Sequence, residues 1–182
     1  MFWKSWRKRQ SNYCAAGLAF TLATSAVLLL FSFLLRAADK VSDLQAHFDH
    51  ETHAGSKVKA LGKLGEAQFE AAAKAGEAGD FTSVGLIFEK YRDNVRAALE
   101  LLKKQDPDAD RHPGGYRQLE LEVRRGVREV EETIVIVPDV VRPPLQIVRK
   151  DLVDDDDELI RLLFPRRTKE PSKVPPSLET KP

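Results

Sequence analysis

Apolar residues come in two regimes along this chain. From Ala15 to Leu35 they dominate a long run, AAGLAFTLATSAVLLLFSFLL, broken only by Gly17, Thr21, Thr24, Ser25 and Ser32, and no residue between Arg9 and Arg36 is charged. As a helix this run is about 31 Å long, which matches the hydrocarbon thickness of a bilayer. Its Leu, Phe and Val side chains favour insertion by roughly 5 kcal/mol in total. A transmembrane helix is therefore expected over residues 15–36. Downstream the apolar residues recur every three or four positions instead. Phe81, Val84, Phe88, Tyr91, Val95, Leu99 and Leu102 make one such series; Tyr116, Leu119, Val123, Val127, Val130, Ile134 and Val137 make another. Val58, Leu61, Leu64, Phe69 and Ala72 precede them, and Leu145, Val148, Leu152, Leu159 and Leu163 follow. This is the period of amphipathic helices.

Prolines and glycines divide the series. No proline occurs before Pro107; Pro107, Pro113, Pro138, Pro143, Pro144 and Pro165 then bound two stretches of helix length. The β-branched segment TIVIVP continues the helical phase, so it reads as a helix end stopped by Pro138 rather than as a strand. Short connections favour antiparallel neighbours. The expected fold is all-α: the membrane helix, then an antiparallel bundle of about four helices in two helical hairpins over residues 56–164. Asp155 falls where the spacing of the last helix asks for an apolar residue. Residues 37–55 keep a helical phase through Val41, Leu44 and Phe48 and read as a juxtamembrane stalk. Residues 165–182, rich in proline and nearly devoid of large apolar side chains, read as a disordered tail.

Whether the leading segment is retained decides the compartment. A cleaved secretory signal has a shorter apolar region and small residues one and three positions before the cut. Cutting after Ala38 places Arg36 at the third position, and cutting after Ala37 places Leu35 there; cutting after Ala26, with Thr24 at that position, suits the chemistry better but leaves VLLLFSFLL at the new terminus. Retention as a signal anchor is expected; a cleaved, secreted helical protein is the alternative. Lys4, Arg7, Lys8 and Arg9 precede the span, so residues 1–14 form a basic cytoplasmic stretch. The rest is then extracytoplasmic, at the inner membrane if the cell is bacterial. Ala15, Ala19 and Ala23 lie at fourfold spacing, a stripe able to seat a second copy's helix as a homodimer.

Charge is distributed unevenly. The overall charge is +1; residues 1–36 hold +5 and residues 165–182 hold +3, which leaves −7 for the middle. Such a domain is a poor partner for phosphate backbones, and no nucleic-acid partner is expected. The single cysteine, Cys14, excludes an intrachain disulfide.

The sharpest local chemistry is HFDHETH, with His47, His50 and His53 three residues apart beside Asp49 and Glu51. On a helix His47, His50 and Glu51 share a face and form a candidate transition-metal set, while His53 lies about 240° around the axis from His47. Metal binding at this stalk is thus an alternative function. Asp151, Asp154, Asp155, Asp156, Asp157 and Glu158 lie together but lack the glycine turn of a calcium loop; a charged helix face or a break between two short helices is expected, and mutual repulsion favours local fraying there. Arg117, Arg124, Arg125 and Arg128 are expected to pair with glutamates of the bundle. No phosphate-binding glycine loop, nucleophile elbow or Cys/His cluster stands in the sequence, so neither a catalytic role nor a cofactor is expected.

LGEAQF at residues 64–69 and GDFTSVGLIFEKY at residues 79–91 resemble the two helices of one tetratricopeptide-type hairpin, over about residues 61–91. The resemblance implies a helix-turn-helix unit and a protein-binding role. Gly65 and Gly79 are further apart than the repeat has them, and no second copy follows. With an unknown protein partner and membrane lipid around residues 15–36, the expected function is that of a membrane-anchored, extracytoplasmic helical interaction module.

Overall fold

The computed structural model describes residues 40–165. The basic stretch 1–14, the span expected over 15–36 and all of the tail beyond Pro165 lie outside them. Among the described residues every regular element is helical and no strand occurs. None of these helices is long and apolar enough to cross a membrane. Helix α1 occupies residues 40–50, α2 Ala54–Glu77, α3 Phe81–Gln105, α4 Pro113–Ile136 and α5 Arg142–Leu163, with a 3₁₀ turn at Asp139–Val141 before α5.

Local chemistry sets the boundaries. Gly79 adopts φ +76°, a left-handed conformation open to glycine at no steric cost, and turns the chain out of α2. Asp80 then caps α3, accepting from the Ser83 amide at 3.1 Å and from its hydroxyl at 2.6 Å. Those bonds hold the exposed Asp80 carboxyl below the ordinary carboxylate value. Pro113 opens α4, where a missing N–H costs nothing, and Pro138 follows its end at Ile136. Residues 133–136 of TIVIVP form the last turn of α4, as their phase predicts, and Val137 leaves it in extended conformation before Pro138.

α2 packs chiefly on α3, and α4 on α5, giving the two hairpins expected. Ion pairs report the directions. Arg92 meets Asp151 and Lys103 meets Glu158, so α3 and α5 run parallel across the bundle. Arg124 meets Asp156 and Arg149 meets Glu131, so α4 and α5 run antiparallel. The core is the apolar faces named from the periodicity, with Val58, Leu61, Leu64, Val84, Phe88, Val95, Leu119, Val123, Leu145 and Leu152 all buried. Tyr91 lies among them with its ring 4.8 Å from that of Phe69.

Two features go beyond the sequence reading. The segment read as a stalk packs on α3 through its C-terminal part. Phe48 is 1% exposed, and Gln45 exchanges two hydrogen bonds, at 2.9 and 3.1 Å, with buried Asn94 of α3. Of the two readings of the acidic run 151–158, the charged helix face holds and the break with its fraying does not; α5 is continuous to Leu163. The repulsion is offset because Arg92, Arg96, Lys103 and Arg124 face these carboxylates from α3 and α4.

Candidate functional site

The end of α1 and the start of α2 form a short antiparallel pair whose joint is fastened by distant side chains. His53, the residue before α2, makes no side-chain cap. Gln105 at the end of α3 does so instead, accepting from the Ala54 amide at 2.8 Å and donating to the Thr52 carbonyl at 2.6 Å. Lys57 donates to the Phe48 carbonyl at 2.9 Å and to that of Glu51 at 3.3 Å, covering the C-terminal end of α1. Its ammonium also sits 4.3 Å from the centre of the Phe48 ring.

Between the two helices lies an open pocket of about 200 Å³. Leu44 and His47 line it from α1, Glu51 from the connection just after it, and Ser56, Lys59, Ala60 and Lys63 from α2. Of the residues picked out in the sequence as metal ligands, His47 and Glu51 are brought together, with Nδ1 3.4 Å from Oε1. His50 is exposed and does not line this pocket. Among the described residues no group of three His, Cys, Asp or Glu side chains is gathered for a metal ion. Lys59 and Lys63 lie one helical turn apart on the facing wall, a placement that opposes a dication at His47.

A second cluster joins α3 to α5. Arg92 reaches Asp151 at 3.1 Å, Arg96 reaches Asp151 at 3.3 Å and Asp155 at 3.5 Å, and Lys103 reaches Glu158 at 2.6 Å. Asp155, at the position where an apolar residue was expected, is 8% exposed, and its Oδ2 accepts no hydrogen bond. Burial raises its pKa, and the Arg96 guanidinium opposes the rise. Asp156 is raised likewise by burial against Arg124. At Lys103, burial acts against the charge, but hydrogen bonds to Glu158 and Glu100 outweigh it and raise the pKa. Each of these carboxylates faces a cation of another helix, but at Asp155 and Asp156 the cations offset the cost of burial only in part.

On the outer side of α4 and α5, Leu121, Val127 and Val153 line a shallow groove with Arg124, Arg128 and Asp156. Leu121 is 63% exposed and Val135, two heptads further along the same side of α4, is 76% exposed. Arg124 pairs with Glu120 at 2.6 Å, as expected of the arginine row; Arg125 reaches across to Glu66 of α2 at 4.0 Å.

Sequence reasoning passed over Arg92, Arg96, Lys57 and Gln105. Arg92 and Arg96 repeat the fourfold spacing of Asp151 and Asp155, which is the only signal the chain carries for that pairing. Comparison with protein-family models, with curated proteins and with solved structures finds no match to this chain. The hairpin that resembles a tetratricopeptide unit runs from Ala54 to Gln105, well beyond the length of that repeat.

Proposed function

We propose that this chain is a single-pass membrane protein, anchored through residues 15–36 with its N-terminus in the cytoplasm. Its extracytoplasmic helical head presents a surface to a protein partner and carries out no chemistry of its own. The observation that supports this reading is the outer side of α4. Leu121 and Val135 stand well exposed on α4, and Leu121 lines a groove with Val127 and Val153, whereas Leu86 on α3 and Ile147 on α5, exposed to a similar degree, do not line that groove. Exposed apolar rows rimmed by charge mark interaction surfaces. The rim contains Arg124 and Arg128, so the partner that fits is an amphipathic helix with an apolar stripe and acidic flanks.

The test is a photo-crosslinking amino acid placed at position 121 of the full chain in intact cells, with position 86 on α3, equally exposed, as control. The reading expects one recurring protein captured from position 121 and not from 86, lost when Val135→Asp is added. Equal capture from both positions, or a head that protease reaches only after cells are opened, overturns the interaction surface or the sidedness respectively.

A further inference from the structure

The α1–α2 pocket offers donors rather than ligands for a metal. Lys59 and Lys63 line one wall as exposed ammonium groups, and neither forms an ion pair among the described residues. Ser56 adds a hydroxyl from the first turn of α2, a turn that contains no acidic residue and stands at the positive end of the helix dipole. The one acidic group in the lining, Glu51, is turned to His47. Leu44 and Ala60 supply apolar surface beside these donors. Two cations, a hydroxyl and an apolar patch around about 200 Å³ suit a phosphate group together with a glycerol-sized organic portion. A bare halide leaves most of that space unused, and a dication meets like charge.

We propose that this pocket binds a phosphate-bearing ligand, with Lys59, Lys63 and Ser56 donating to the phosphate oxygens and Leu44 and Ala60 packing on its organic portion. Two sources share this chemistry: a phospholipid headgroup and a soluble organic phosphate. The lipid source rests on the anchor proposed above; the soluble one does not. Leu44 is eight residues beyond Arg36, so the chain between them spans at most about 28 Å, within reach of a bilayer surface.

The experiment follows lysine acetylation, residue by residue, by mass spectrometry on the full chain in phosphatidylcholine nanodiscs. Glycerol 3-phosphate and inorganic phosphate are titrated in one arm, and phosphatidylglycerol is mixed into the discs in the other. Saturable protection of Lys59 and Lys63, with Lys90 and Lys104 unchanged, is expected in at least one arm. The Lys59→Gln, Lys63→Gln double variant, altered only at exposed positions, should bind about tenfold more weakly, read from the protection of Ser56 and its neighbours against amide exchange. Protection by glycerol 3-phosphate alone assigns a soluble ligand, and protection by phosphatidylglycerol alone assigns a lipid. Protection in neither arm, uniform protection of all four lysines, or equal protection by an acidic peptide overturns the proposal. If the anchor reading fails, the soluble arm still reports on the pocket, so the two failures are distinguishable.

Discussion

Tyr91 donates its hydroxyl to the backbone carbonyl of Glu122 at 2.7 Å, tying α3 to α4 through the middle of the core. Burial, and then the nearby Glu122 carboxylate, push the phenol pKa far up, so it remains a donor. The ring lies between two glycines: a Cβ on Gly65 would come within 2.8 Å of Tyr91 Cε2, and one on Gly126 would collide with Cε1. With both sides occupied the ring has nowhere to move. Gly126→Ala should therefore destabilise by about 1–3 kcal/mol through overpacking, although alanine in a helix is otherwise worth about 0.5–1 kcal/mol over glycine. Gly85→Ala, where a Cβ meets nothing within 4 Å, should gain that same about 0.5–1 kcal/mol. Tyr91→Phe should cost about 1 kcal/mol, since the carbonyl keeps its helical partner. Urea midpoints of the three variants check the order.

Asp155, Asp156 and Glu122 all have raised pKa values, each chiefly through burial. The folded chain therefore takes up protons on these groups before the unfolded chain does. As pH falls through the folded values towards the ordinary 3.8 of Asp and 4.5 of Glu, these groups add stability, and the gain levels off below those ordinary values. The exposed Asp80, whose pKa is lowered, acts in the opposite sense below 3.8. Asp155→Asn should flatten the rise in the denaturation free energy measured across mildly acidic pH. Asp155→Leu should leave stability at neutral pH unchanged or raise it by about 1 kcal/mol, because Arg96 is 45% exposed and is not stranded by the loss. A loss of more than that on Asp155→Leu contradicts the account.

The helical hairpins were legible because the information is local: a 3.6-residue period, a Gly-Asp turn, and prolines at the ends of α4. The docking of α1 was not, since HFDHETH offers a single aromatic amid polar residues and its anchors, Asn94 and Gln105, lie on α3. The continuity of α5 was left open for the same reason. Repulsion among Asp151, Asp155 and Glu158 is visible in the chain, but the cations that offset it belong to another helix. The pocket was half legible: His47 and Glu51 stood out, whereas Lys59 and Lys63 are ordinary surface lysines until α1 folds back along them.

Gln105 joins the end of α3 to the start of α2 by two hydrogen bonds that no local residue replaces. Gln105→Ala should cost about 1–2 kcal/mol, the scale of a lost helix cap. The loss should also be localised. Amide exchange should quicken at Ala54 and through the following turn and at residues 45–50, while α4 and α5 keep their protection. Uniform acceleration across all five helices would show instead that the joint opens only with global unfolding.

The reciprocal amide pair of Gln45 and Asn94 fixes how α1 lies on α3, because an amide pair satisfies both partners in only one register. Asn94 is 3% exposed, so removing its partner leaves buried donor and acceptor groups unpaired. Gln45→Leu or Asn94→Leu alone should each cost about 1–3 kcal/mol, whereas the double replacement, with no polar group left behind, should cost far less than the sum. The double-mutant cycle in urea measures that coupling. The double variant should also lose the register, since leucine pairs slide where amides do not, and the Phe48 ring should then report more than one environment by NMR. A double variant that keeps one sharp Phe48 signal would assign the register to Lys57, whose bonds to the Phe48 and Glu51 carbonyls survive the change.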